Sequence, residues 1–143
     1  MKKRSSTYGI PFLALALMLL FASGVNAQVL NKPTPADNPN LAGNSAWTAA
    51  CASASFNEYF VNFTWNLPLV ASNNEFILEL SDANGYFSNP VELDRVSDKN
   101  TVFDFEFQFA LPTDTRGENY KFRVRSTNPA KTSPASDAFS MYY

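Results

Sequence analysis

Apolar and polar residues alternate with a period of two along several short runs of this chain. The clearest run spans residues 101–109, where phenylalanines at every second position alternate with residues that are mostly polar. The phenylalanines are Phe103, Phe105, Phe107 and Phe109, and the residues between them are Val102, Asp104, Glu106 and Gln108. Successive side chains of a β-strand point to opposite faces. This pattern therefore predicts a strand with one buried face and one wet face.

Six further runs have the length and the composition of strands, at residues 49–55, 59–65, 75–81, 91–96, 120–126 and 138–143. Pro68 ends the second run, because proline has no backbone N–H to donate to a neighbouring strand. The turn-forming residues 82–85 follow the third run. No helical pattern of useful length follows residue 27. Seven short strands without the crossovers that parallel pairing needs predict an all-β fold, a seven-stranded antiparallel β-sandwich.

The run at residues 120–126 has one apolar and one cationic face: Tyr120, Phe122 and Val124 alternate with Lys121, Arg123 and Arg125. We interpret the cationic side as the solvated face of the strand, with a basic binding stripe as the alternative. By the same alternation Glu79, Asp104 and Glu106 lie opposite apolar stripes, which predicts that all three are solvated surface charges. A pairing of Glu79 with either of the other two is the only catalytic arrangement left open.

The first 27 residues have the pattern of a secretory signal peptide. A basic start is followed by an apolar run at residues 10–21 and by small residues that a signal peptidase reads at 25–27. The apolar run is about 12 residues long, shorter than the ~20 that a spanning helix needs, so a membrane anchor is the disfavoured alternative. We predict cleavage before Gln28, a Pro- and Asn-rich leader at 28–46, a sandwich at 47–143, and a secreted or cell-surface location.

Charge and composition exclude several classes of function. The predicted signal carries three of the 11 basic residues and no acidic one, so the remaining chain has eight basic and 13 acidic residues, a net charge of −5. Binding to nucleic acid needs clustered positive charge, which this balance argues against. The chain has no histidine and only five glycines, which removes histidine-dependent nucleophiles and a glycine-rich phosphate loop. We predict no enzymatic activity and no cofactor.

Cys51 is the only cysteine, so no disulfide can form within the chain. Because it lies among small residues, we predict that it is buried, with an exposed and reactive thiol as the alternative. Asp82, Asn84 and either Asp94 or Asp98 offer oxygen ligands that suit calcium. The same residue types are typical of turns, and we predict no metal site.

Two segments resemble a fibronectin type III domain. FVNFTW followed by NLP is similar to the family's second strand, whose tryptophan, here Trp65, points into the core. The pair Leu111-Pro112 with Tyr120, and the stretch YKFRVRSTNPAKTSPAS, resemble its sixth strand, its tyrosine corner and its Ser-rich loop. The Pro112–Tyr120 spacing is about four residues longer than usual, a departure that bears on the corner's hydrogen bond and not on the strand. The resemblance covers roughly residues 49–143 and implies an immunoglobulin-like sandwich.

A narrower resemblance lies in FILELSDANGYFSNPVELDRVS, which is similar to the middle hairpin of surface proteins from Bacteroidota. Many of those proteins resemble gliding-motility or adhesin-type products exported through the type IX secretion system. The resemblance implies a non-catalytic structural or adhesive module, the N-terminal part of a longer surface protein. Its partners would be other domains of that protein, other surface proteins or glycans.

A carbohydrate-binding or accessory module of a secreted hydrolase is the alternative function. Sugar-binding sandwiches use exposed aromatic rings as stacking platforms. Tyr86, Phe87 and Tyr142 are the candidate ligand-binding residues, because they lie in a predicted loop or on a predicted outer face. Phe87 could instead close the end of the sandwich beneath its loop.

Overall fold

A computed structural model of the protein describes residues 29–43, 45–66 and 70–143. These residues form no helix, and their strands are β1 Val29–Leu30, β2 Thr34–Ala36, β3 Ala50–Cys51, β4 Tyr59–Asn66, β5 Phe76–Leu80, β6 Val91–Val96, β7 Asp104–Phe109, β8 Arg116–Tyr120, β9 Phe122–Thr127, β10 Ala130–Thr132 and β11 Phe139–Tyr142. The predicted all-β class is confirmed. The predicted signal peptide lies outside the described residues.

The strands form three sheets. In the first, β4 pairs antiparallel with β1, β2 and β7; in the second, the antiparallel order is β10-β9-β5-β6. The third has the order β3-β11-β8, with β11 antiparallel to β8 and parallel to β3. The prediction of purely antiparallel pairing is therefore wrong at β3. The predicted strand at 49–55 shrinks to two residues because a turn closed by Ser53 and Phe56 follows it.

The inward faces of the first two sheets share one hydrophobic core, consistent with a sandwich. The Phe76 ring of the second sheet lies 5.7 Å from Phe63 and 5.2 Å from Trp65 of the first, measured between ring centroids. Trp65 is fully buried, as predicted, and its Nε1 donates to the Val102 carbonyl at 2.7 Å. The prediction that Phe103 lies on the buried face of the strand at 101–109 is wrong, since Phe103 precedes β7 and is 41% exposed.

The first sheet begins within the predicted leader. Thr34 and Ala36 of β2 are in register with Asn62 and Phe60 of β4, and Leu30 of β1 is in register with Trp65. Pro35 fits this position because edge strands tolerate a residue that cannot donate. The sheet boundary thus does not coincide with the predicted domain boundary at residue 47.

Tyr120 forms a hydrogen bond to upstream backbone despite the long spacing from Pro112. Its hydroxyl accepts the backbone N–H of Arg116 at 3.3 Å, four residues before it, while the Pro112 carbonyl accepts the N–H of Thr115. The additional residues therefore form a turn and the start of β8. Only Lys121 separates β8 from β9.

Three serines form hydrogen bonds with the backbone N–H and C=O groups of β9 and of Lys121, which precedes it. Ser81, Ser133 and Ser136 each donate their backbone N–H to a carbonyl, of Lys121, Val124 and Phe122 respectively, at 2.8 Å. The Oγ of each serine then accepts the N–H of that same residue, at 2.8–3.0 Å. The hydroxyl takes the place of a strand carbonyl, which is why the Ser-rich loop can lie against β9 without forming a regular strand.

We expect Ser136→Ala to lower the free energy of unfolding by about 1–3 kcal/mol, because it leaves the buried N–H of Phe122 without an acceptor. Urea unfolding measures the change. Ser88 is exposed and its hydroxyl bonds to no described residue, so Ser88→Ala is the matched control. Equal stability of the two variants would contradict this role for the hydroxyl.

Candidate functional site

The predicted ligand residues Tyr86 and Phe87 lie in a turn organised by Asp82. One carboxylate oxygen of Asp82 accepts the backbone N–H groups of Asn84 and Tyr86, each at 2.9 Å. Tyr86 is 66% exposed, as a stacking platform requires. The ring of Phe87 lies beneath the Arg123 guanidinium, 4.3 Å from its centroid. Phe87 thus packs against a cation on the outer face of the second sheet.

Tyr142, the third candidate, lies on β11 and points to a different set of partners. Its hydroxyl donates to the carboxylate of Glu118, which also accepts a hydrogen bond from the Ser140 hydroxyl. These bonds, that of Ser140 first, hold the pKa of Glu118 below its usual value, and the bond to Glu118 raises the pKa of Tyr142. Tyr142 and Phe87 therefore have separate polar partners, on β8 and β9 respectively.

A buried ion pair occupies the outer face of the second sheet. Glu79 is only 6% exposed, and its two oxygens accept the Nε of Arg123 at 2.8 Å and the Nε of Arg125 at 3.0 Å. The prediction that Glu79 is a solvated charge is wrong, because its strand β5 lies between β9 and β6 and long side chains cover it. The cationic side of β9 is correspondingly only partly solvated.

Arg95, on β6, adds further ion pairs to the outer face of the second sheet. It donates to both oxygens of Glu92, at 2.9 and 2.7 Å, and also binds Glu75. The bond to Arg95 is the main reason that the pKa of Glu92 is lowered, and Arg125 adds a smaller electrostatic effect. Ile77, in register with Arg95 and Arg125, is buried although it faces outward. Arginine side chains thus cover the outer surface of this sheet.

The other two predicted carboxylates, Asp104 and Glu106, lie on the outer face of the first sheet and are exposed, as predicted. Asp104 accepts a hydrogen bond from the Asn62 amide at 2.7 Å. Glu79 faces outward from the other sheet with both oxygens bound to arginines. The catalytic pairing left open from the sequence is therefore not formed.

A cavity of about 420 Å³ opens beside the N-terminal end of β4. Trp47, Phe56 and Tyr59 contribute aromatic walls, and Cys51 lies at the cavity with an exposed side chain. The prediction that Cys51 is buried is wrong, since in the short strand β3 it is Ala50 that points into the core. Burial is the main reason that the pKa of Tyr59 is raised, and the nearby Cys51 side chain adds to the rise.

The Tyr59 hydroxyl is buried and has no partner of hydrogen-bonding geometry among the described residues. We expect Tyr59→Phe to stabilise the fold by roughly 1 kcal/mol, because it removes a buried donor that costs desolvation and keeps the ring. Thermal unfolding tests this, with Tyr120→Phe as the contrast, since that hydroxyl is bonded and its loss should destabilise. A destabilised Tyr59→Phe variant would contradict the assignment.

The predicted absence of metal stays a prediction. Asp82 uses one oxygen on two backbone groups, and the described residues hold no group of three acidic or cysteine side chains that could bind an ion. The same part of the chain has no helix that is long and apolar enough to cross a membrane. No family model matches the sequence, and no curated protein matches it.

The sequence contains only part of the signal for the ion pair around Glu79. The sequence places Glu79 within an apolar strand and two arginines on alternate positions of another, but only strand order brings them together. The Tyr59 cavity has no comparable signal. It depends on where residues 36–43 and 45–49 lie beside β4.

Proposed function

We propose that this protein is a non-catalytic structural or adhesive module, of the fibronectin III or immunoglobulin-like kind, in a secreted or cell-surface protein. The observation that carries the proposal is the distribution of strands. β4 and β7 lie in one sheet, and β5, β9 and β10 in the other with β6 at its edge. Immunoglobulin-like sandwiches divide their second and fifth strands from their third and sixth in this way, whereas the predicted last strand, β11, lies in the third sheet here.

Two features of the residues support this class. The Tyr120 hydroxyl binds backbone four residues upstream, in the manner of a tyrosine corner. The carboxylates that remained as catalytic candidates are separated, and the chain has no histidine. A rigid sandwich that presents loops and edges to neighbouring domains or surfaces is the mechanism that this arrangement favours. Fold alone does not define a ligand.

Export and context test the proposal. Expression with the native N-terminus should yield a processed chain that begins at Gln28, detected by intact-mass measurement of the exported protein. The genomic sequence beyond Tyr143 should continue into further domains of a surface protein, as the resemblance to gliding-motility and adhesin-type products implies. Retention of an unprocessed chain in the cell would contradict the location, and a downstream catalytic domain would favour an accessory module.

Glycan binding is a second candidate, which the exposure of Tyr86 favours. A glycan array screened with the exported chain should show binders that Tyr86→Ala abolishes. Val91→Ala is the matched control, since Val91 is also exposed and lies at the end of the same β5–β6 connection. An array without binders, or binding that survives Tyr86→Ala, would remove this candidate.

A further inference from the structure

Strands β7 and β9 present charged rows of opposite sign on opposite outer faces of the molecule. Asp104 and Glu106 are two residues apart on β7, and Arg123 and Arg125 are two residues apart on β9. Alternate residues of an extended strand are separated by roughly 6.4–6.8 Å. The acidic row and the cationic row therefore have the same spacing.

The arginines of the cationic row keep hydrogen-bonding capacity for a partner. Arg123 and Arg125 each bind Glu79 through Nε, and their Nη nitrogens donate to no described residue. Buried Glu79 fixes both guanidinium groups from below, and the Phe87 ring restrains Arg123 further. Guanidinium groups held in place in this way are suited to carboxylates, which they bind through paired N–H groups.

The acidic row has no competing cation on its own sheet. None of the strands β1, β2, β4 and β7 contains a lysine or an arginine. Glu106 binds no described residue, and Asp104 uses one oxygen for Asn62. This face therefore offers carboxylate oxygens that remain free to accept hydrogen bonds.

We propose that the outer face of β9 binds the outer face of β7 in a second copy of this chain. With the two strands running in the same direction, Arg123 meets Asp104 and Arg125 meets Glu106. A second copy is favoured as the partner because one molecule carries both a cationic row with free Nη donors and an acidic row without a bound cation. The inference rests on the charges of the two faces and not on the proposed function, so each can fail without the other.

The contact joins two different surfaces, so each added copy leaves one free face of each kind. Such heterologous contacts extend head to tail rather than closing a symmetric dimer. Exposed ion pairs are weak and are screened by salt, so association should require high protein concentration and low ionic strength.

Sedimentation velocity of the exported chain tests the proposal at rising protein concentration. In about 50 mM salt the mean sedimentation coefficient should rise with concentration, and in about 500 mM salt the apparent affinity should fall at least tenfold, because the Debye length shortens. The charge-reversed variant Asp104→Lys/Glu106→Lys should remain monomeric alone. Added in excess to the unchanged protein, the variant should stop assemblies at dimers. Its cationic row on β9 still binds the acidic row of an unchanged copy, but its own β7 can no longer bind a further copy.

The control Asp98→Lys/Asp114→Lys makes the same change in net charge at exposed positions outside the two rows and should still associate. If the double reversal on β7 prevents folding, Glu106→Lys alone serves, since Glu106 has no described partner to lose. A monomer at low salt, or equal loss of association in the control, overturns the proposal. Binding of polyglutamate or polygalacturonate by a chain that stays monomeric would also overturn it and assign the cationic row to another partner.

Discussion

Replacement of Trp65 by alanine should lower the free energy of unfolding by about 3–5 kcal/mol, the range for removing a large aromatic side chain from a core. Trp65 is fully buried, and its ring lies within 5.2 Å of Phe76 and 4.8 Å of Phe103 between centroids. The substitution would open a cavity between the two sheets and leave the Val102 carbonyl without its donor. Such a loss is a large share of the stability of a domain of this size.

Chemical denaturation followed by circular dichroism measures this effect without depending on tryptophan fluorescence. Phe103→Ala is the appropriate comparison, since the Phe103 ring also packs against Trp65 but the residue is 41% exposed. We expect it to cost less than half as much as Trp65→Ala. Trp65→Phe should fall between them, because it retains a ring and loses the hydrogen bond. A cost below about 1.5 kcal/mol for Trp65→Ala would show that the two sheets do not depend on this side chain.

The period-two pattern predicts most of the long strands of this protein. The strand at 91–96 is found with both predicted ends, and the apolar positions of 59–65 and 105–109 form the core as predicted. The strands at 59–65 and 105–109 are predictable because each buries one face over several alternations, which leaves few competing registers. Trp65 is predictable for the same reason.

Short strands and covered surfaces are not predictable in this way. β1, β2 and β3 have two or three residues each, too few for a period, and two of them depend on an available edge of β4. Cys51 lies in one of these strands, so its side could not be deduced. Alternation assigns Glu79 to the outer face correctly, but it does not reveal that arginines from β9 cover that face.

The second large effect is expected at Glu79, where Glu79→Gln should cost about 2–4 kcal/mol. Removing one partner of a buried ion pair leaves the other uncompensated, at about 3–5 kcal/mol in full burial, and partial exposure of both arginines reduces the figure here. Glutamine keeps the shape of the side chain and one acceptor oxygen. The change therefore isolates the charge and one of the two hydrogen bonds.

Glu106→Gln is the matched control, because it makes the same chemical change at an exposed position without a described partner, and it should alter stability by less than about 0.5 kcal/mol. A double-mutant cycle with Arg125→Gln should give a coupling energy of at least 1 kcal/mol, roughly the scale for residues in one ion-pair network. Equal stability of the Glu79→Gln and Glu106→Gln proteins would show that the buried carboxylate does not hold the arginines. In that event the cationic row would lack a fixed geometry, and the face of β9 would lose the preorganisation on which recognition of a carboxylate partner depends.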